Sequence, residues 1–186
     1  ANTVEIRNSM KKLSERSQEL EKEHRDTQQK FHMANSRLNS LKNMTERYEG
    51  FGQSIRRVME QKEHNPGIIG VVADIIRVEK DYEIAIETAL GGSIQNIVTD
   101  NEQTAKAMIA LLKKNRYGRA TFLPLTNISG RGVNQAQNIL QEPGVVGFGS
   151  SLVHAEARFD RLVEYLLGRF VVVDHIDHAI ALAKKY

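Results

Sequence analysis

The run Asp174-His175-Ile176-Asp177-His178 is the densest group of potential ligands in the chain. His175 and His178, three residues apart, would share a helical face with Asp174 or Asp177 nearby, a pattern that zinc sites use. The simpler reading is that Asp174 or Asp177 caps the helix that follows a strand, leaving both histidines on its surface. His154 with Glu156, His24 and His32 offer less, since none has a second ligand at metal spacing. Gly91 and Gly92 raise a second possibility, a phosphate cradle. A cradle needs strand, glycines and helix in that order, so that the helix N-terminus faces the anion. Here a helical run precedes the pair and a strand-like run follows, so they read as a helix C-cap. The two Gly-Phe-Gly triplets, 50–52 and 147–149, do not extend to GxGxxG, because Ile55 and Leu152 stand where the last glycine belongs. No GxxxxGK[ST] and no GxSxG occurs. No catalytic residue, cofactor or metal is therefore expected. The chain has no cysteine, which excludes a disulfide framework and thiolate metal sites.

Basic residues gather in three places: Arg56, Arg57 and Lys62; Lys113, Lys114, Arg116 and Arg119; and Lys184 with Lys185. Lysine pairs at helix ends are ordinarily solvated. The first group sits where two unlike parts of the sequence join, and could touch nucleic-acid phosphate without reading base sequence. A net charge of +3 permits such contact without demanding it. No apolar run approaches the roughly 20 residues of a membrane span.

The elements that would position these residues fall into two parts. Residues 1–49 contain neither glycine nor proline and are dense in Lys, Arg, Glu, Gln and Asn. That composition predicts one uninterrupted helix, about 70 Å long at 1.5 Å per residue. A heptad pattern runs through it: Leu13, Leu20, Leu41 and Tyr48 at one seam position, Phe31 and Leu38 at the other. The seam is weak around Ser17, His24 and Thr27. A stripe of this length implies a coiled-coil arm whose partner strand comes from another chain or from sequence beyond Tyr186.

After residue 49 the pattern becomes α/β. Residues 68–78 read as a strand bent near Asp74, 81–90 as a helix, and 94–98 as a strand. A helix over 101–115 and a strand over 119–125 follow. One helical turn is expected around Gln135–Leu140, then strand and loop over 145–155, a helix over 158–168, a strand over 169–174 and a last helix. The order helix, Leu-Gly, strand, Asp, helix, Lys-Lys occurs twice, with Leu90-Gly91 and Asp100 matched by Leu167-Gly168 and Asp174. The second copy has a connection three residues shorter. Gly91, Gly92, Asp100, Gly168 and Asp174 are thus expected as turns and caps of two related half-domains.

The stretches "YEGFGQSIRRVME", "GIIGVVADIIRVEKDYEIAIETALGGSIQNIVTD" and "GRATFLPLT" resemble the hinge domain of bacterial structural maintenance of chromosomes (SMC) proteins. The resemblance runs from about Glu49 to Tyr186 and agrees with the preceding arm. It implies a fold with a long coiled-coil helix and a two-subdomain hinge body: arm 1–49, subdomain I 50–128 and an incomplete subdomain II 129–186. It further implies a homodimer with a second SMC hinge and a returning coiled-coil strand. DNA contact near Arg56, Arg57 and Lys62 is implied too, with a cytoplasmic, nucleoid-associated role in chromosome condensation and segregation and no membrane partner. ATPase heads of such a protein would lie outside this chain. The competing expectation is a coiled-coil-tethered α/β domain that binds a small ligand or is an enzyme, with a polar pocket near Asp100 or Asp174.

Overall fold

The computed structural model describes residues 2–129 and 137–186, the side chains of residues 44–47 and 137 excepted. It divides into two units, Ala1–Arg47 and Tyr48–Tyr186. The first is a single helix, α1 (Asn2–Arg47). Its sequence has nothing to stop it, and an exposed ion pair, Arg16 Nη1 to Glu19 Oε2 at 2.6 Å, decorates its surface. Leu13 (70 %), Phe31 (64 %), Leu38 (49 %) and Leu20 (48 %) are exposed, and Leu41 less so at 37 %. Tyr48 departs from the heptad expectation. It lies past the end of α1, in a turn, and is a core residue of the second unit. The heptad pattern carries on in sequence after the helix stops because Tyr48, Ile55 and Met59 are spaced alike, but all three are buried in that core.

The second unit begins with α2 (Gln53–Met59). The stretch 68–78 is not one bent strand. It forms β1 (Ile68–Val71), a helical turn α3 (Val72–Ile75) and β2 (Arg77–Val78). Asp74 makes the break: its carboxylate accepts from the Val71 N–H at 3.3 Å, closing the turn on the end of the strand. Then come α4 (Glu83–Leu90), β3 (Ile97–Thr99), α5 (Glu102–Asn115) and β4 (Phe122–Pro124). The second half holds β5 (Val145–Phe148), β6 (Val153–His154), α6 (Asp160–Leu167), β7 (Val171–Val173) and α7 (Ile176–Lys185). Strands are shorter than their apolar runs because 3-10 turns take the flanks, at Gly91–Gln95, Leu125–Asn127 and Gly149–Leu152. A 3-10 turn over Gln137–Gln141 meets part of the helical turn expected at 135–140; residues 130–136 lie outside the described ones.

β1 pairs antiparallel with β3, and β3 pairs parallel with β4. β5 and β7 are antiparallel, as are β2 and β6. Two buried clusters result. One holds Tyr48, Ile55, Val58, Met59, Ile68, Val71, Ile97, Met108 and Leu112. The other joins Val72, Ile76, Ile86, Leu90, Val98 and Ile128 to Val153, Phe159, Leu162, Val163, Leu167 and Val172, residues from both sides of the expected 128/129 boundary. Alternation along β3 sends Ile97 to the first and Val98 to the second. Each such side chain is worth about 1.5–3 kcal/mol when fully buried.

The internal echo is geometric as well as sequential. β1 and β5 each follow a Pro-Gly pair, and each carries a register irregularity before a glycine, between Ile68 and Gly70 and between Val145 and Gly147. The three extra residues of the first copy are taken up in the 3-10 turn that starts at Gly91. Gly91 ends α4 at φ 49°, ψ −129°, a region that side chains other than glycine's enter only with strain. Nothing stands within 4 Å of where a Cβ would be, so backbone conformation alone decides the cost. Gly91→Ala is expected to destabilise the unit by about 1–3 kcal/mol. Gly92→Ala, at a position without positive φ, should cost clearly less. Urea denaturation of both variants checks this, and equal losses would contradict it.

Candidate functional site

Two of the basic groups are brought together. Ser54 Oγ of α2 donates to the Arg119 carbonyl at 2.7 Å, which holds the segment after α5 against α2. The α5 C-terminus turns through Arg116, which adopts φ 55° without being glycine. Its N–H bonds the Lys113 carbonyl at 3.3 Å, and the next N–H, of Tyr117, returns to Leu112 at 3.0 Å. Lys113, Lys114, Arg116 and Arg119 are all exposed. Arg56, Arg57 and Lys62 are half-buried. Of these three, Arg57 is already engaged: Nη1 lies 3.1 Å from Glu60 Oε2, and its guanidinium stands 5.1 Å from the centre of the Tyr117 ring. The surface able to meet an anion therefore centres on the end of α5 as much as on α2. The sequence holds both groups, but nothing local in it shows that Ser54 reaches across 65 residues to join them.

The corners at Asp100 and Asp174 share one design. The Asp100 N–H bonds the Gly67 carbonyl at 2.9 Å, and the Asp174 N–H bonds the Gly144 carbonyl at 2.9 Å. In each copy the carboxylate then reaches four residues on. Asp100 Oδ1 accepts from Thr104 Oγ1 at 2.8 Å, while Asp174 Oδ1 lies 2.6 Å from His178 Nδ1. The glycines are required by this packing: a Cβ on Gly67 would sit 2.4 Å from Thr104 Oγ1, and one on Gly144 2.0 Å from His178 Nδ1. Neither aspartate is the helix cap. The cap falls one residue later, where Asn101 Oδ1 accepts from the Thr104 N–H at 2.9 Å and His175 Nδ1 from the Asp177 N–H at 3.3 Å. The aspartate carboxylates are instead engaged by the side chains four residues on, Thr104 and His178. Gly168 closes α6 with its N–H on the Glu164 carbonyl at 2.9 Å. Lys185, near the other end of α7, pairs with Glu142 just before Gly144.

The two histidines of the 174–178 run thus hydrogen-bond to different groups rather than sharing a ligand. Among the described residues no cluster of three His, Asp or Glu is placed to hold a metal ion. An open groove between β6 and α6 is lined by Ser150, Ser151, His154, Asp160 and Glu164 among others. Asp100 and Asp174, beside which a polar pocket is expected for a ligand-binding or enzymatic domain, are not among its lining residues. No helix among the described residues is long and apolar enough to cross a membrane.

Comparison with known proteins places this geometry. Residues 65–183 match the model of the SMC proteins flexible hinge domain. The chain belongs to the SMC hinge family. Chromosome partition protein Smc of Lactiplantibacillus plantarum is 42 % identical over 151 residues, 80 % of this chain. That of Bacillus subtilis is 38 % identical over 153 residues, 81 % of this chain. In both cases the match spans 13 % of the relative's length. A crystal structure of an asymmetric dimer of the Geobacillus stearothermophilus SMC hinge domain superimposes with a TM-score of 0.70 at 39 % identity, covering 82 % of this chain and 62 % of that one. The Pyrococcus furiosus SMC hinge gives 0.58 at 30 % identity, covering 75 % and 72 %.

Within this SMC hinge the Asp174–His178 contact has a pH signature. The His178 hydrogen bond holds the Asp174 carboxyl below its usual range, outweighing partial desolvation. An unfolded-state aspartate titrates at about 3.9. A depressed folded value contributes stability that is present above the unfolded value and lost as pH falls through the folded one. The stability difference between the parent chain and Asp174→Asn is therefore expected to be full near neutral pH, to shrink as pH falls through the unfolded value and to be gone only below the lowered folded one. Urea midpoints measured across that range check it; a gap that widens in acid would contradict the assignment.

Proposed function

We propose that this chain is the hinge at which two coiled-coil arms of a chromosome-organising ATPase meet, that it pairs with a second hinge, and that it touches DNA without reading its sequence. The observation that carries the reading is the combination of a hinge-like body with α1, whose Leu13, Leu20, Phe31 and Leu38 stay exposed along 46 residues. A returning strand of a coiled coil is the natural cover for such a stripe. The hinge would then work by association rather than chemistry, with nucleotide hydrolysis in heads elsewhere in the parent protein, in the cytoplasm at the nucleoid. The relative from Geobacillus stearothermophilus is itself a dimer. Light scattering on the full-length gene product at micromolar concentration is expected to give a dimer mass that survives deletion of the ATPase heads. A monomer mass in the headless form would overturn the pairing.

For DNA, we assign the binding to Arg56 and Lys62, in and after α2, together with Lys113, Lys114, Arg116 and Arg119 at the end of α5, with Arg57 contributing less because Glu60 neutralises it. A cation that meets a phosphate releases counterions, so each such ion pair removed should flatten the salt dependence of log K by about 0.9 on duplex DNA. Replacing Lys113, Lys114, Arg116 and Arg119 together by alanine is expected to weaken binding of unrelated duplexes alike. The slope should flatten by roughly two or more, on the order of one for each phosphate no longer neutralised. Fluorescence anisotropy at several salt concentrations reads both. Unchanged affinity and slope would remove this surface from the proposal.

A further inference from the structure

The two halves of α1 are charged differently. The first carries both signs and pairs some of them internally, Lys11 with Glu15 at 4.0 Å and Arg16 with Glu19 at 2.6 Å. From Thr27 to Thr45 the sequence holds no Asp or Glu, and its only Lys or Arg residues are Lys30, Arg37 and Lys42. Their places are not scattered. Lys30 and Arg37 directly precede Phe31 and Leu38 of the seam, and Lys42 directly follows Leu41. In a coiled coil these are the edges of the contact, from which ion pairs cross to the facing helix. The outer side of the same stretch, at His32, Met33, Ser36, Asn39, Ser40 and Asn43, holds no Lys, Arg, Asp or Glu. A merely solvated helix would show the opposite, with its charge away from the apolar stripe. Lys30, Arg37 and Lys42 are exposed, and among the described residues none of them makes an ion pair.

A second copy of α1 laid along this stretch would meet it with like charge. Run parallel, Arg37 would face Lys42 of the second copy across each edge. Run antiparallel, matching edges meet, and every charged group on either edge is a cation. A phosphate backbone would answer the cations but leave Phe31 (64 % exposed) and Leu38 (49 %) uncovered. We propose that the strand covering residues 27–43 is an acidic helix from elsewhere in the same gene product, with apolar residues on its seam and Glu or Asp along both edges, and that Lys30, Arg37 and Lys42 select it against a second α1. The inference rests on the reading of α1 as one strand of a coiled coil and adds the chemistry of the other. The match to the Lactiplantibacillus plantarum protein spans 13 % of that relative, so proteins of this kind have ample chain from which to draw such a strand.

Amide hydrogen exchange of the purified, nuclease-treated full-length gene product, read by mass spectrometry over residues 27–43, tests this. The parent stretch is expected to be protected and to exchange faster as salt is raised. Lys30→Gln, Arg37→Gln and Lys42→Gln together keep helix propensity nearly constant. They are expected to speed exchange about three- to tenfold at low salt and to leave little further response to salt. Arg25→Gln, off the seam, should change nothing there, and an equal effect from it would overturn the selection. Slower exchange in the triple variant would mean that like charges had been relieved, hence a second α1, and would overturn the proposal. An unchanged rate would overturn it too, as would parent protection that is present only before nuclease treatment. Each of these leaves the coiled-coil reading standing. No protection anywhere along α1 in the parent would remove that reading, and the proposal with it.

Discussion

Val71 and Val72 are neighbours in the chain and both fully buried, yet each belongs to a different core. A strand does this by alternation, since neighbouring side chains leave by opposite faces. Here β1 also ends at Val71 and turns into α3, with the Asp74 carboxylate accepting from the Val71 N–H at the break. β3 then mirrors the split by alternation, Ile97 to one side and Val98 to the other. The pairing of β2 with β6 and the second cluster, which draws on residues from Val72 to Val172, depend on that division. Moving either valine by one register position would place its side chain in the wrong core.

Much of this is legible in the sequence, and the parts that are not have physical reasons. α1 is legible because 49 residues without glycine or proline leave helix as the only regular structure that the composition favours. The order of helices and strands after it follows from periodicity, and Gly91 and Gly92 read as a corner from their place after a helix. A bend near Asp74 is legible, but not that it is a helical turn between two separate strands, since a run rich in Ile and Val looks the same whether it is one strand or two. Tyr48 looks like a seam residue because heptad spacing is a statement about intervals and does not register where a helix stops. The caps at Asn101 and His175 are not legible, because only the fold shows that the aspartate carboxylates are held by Thr104 and His178.

The site behaves in the same way. Both basic groups are visible as composition, and their union follows from α2 and α5 sharing one core, with a long-range hydrogen bond from Ser54 to Arg119 added. The histidine–aspartate run looks like a ligand set because it has the right residue types at a helical interval. In three dimensions each ring is committed to a different partner, and what remains is a local electrostatic contact holding α7 on its strand. Residue types propose chemistry; which lone pairs stay unspent disposes of it.

The antiparallel pairing of β2 with β6 sets Arg77 opposite His154 and Val78 opposite Val153. These are corresponding places in the two copies, each following its own Pro-Gly strand and preceding its own helix. Like segments that meet head to tail do so only about a local rotation of half a turn. The polypeptide has in this sense already made, within one chain and across one seam, the contact that two separate molecules of half its length would make. The two copies are similar in backbone and free to differ in side chain, as threonine at 104 and histidine at 178 already do.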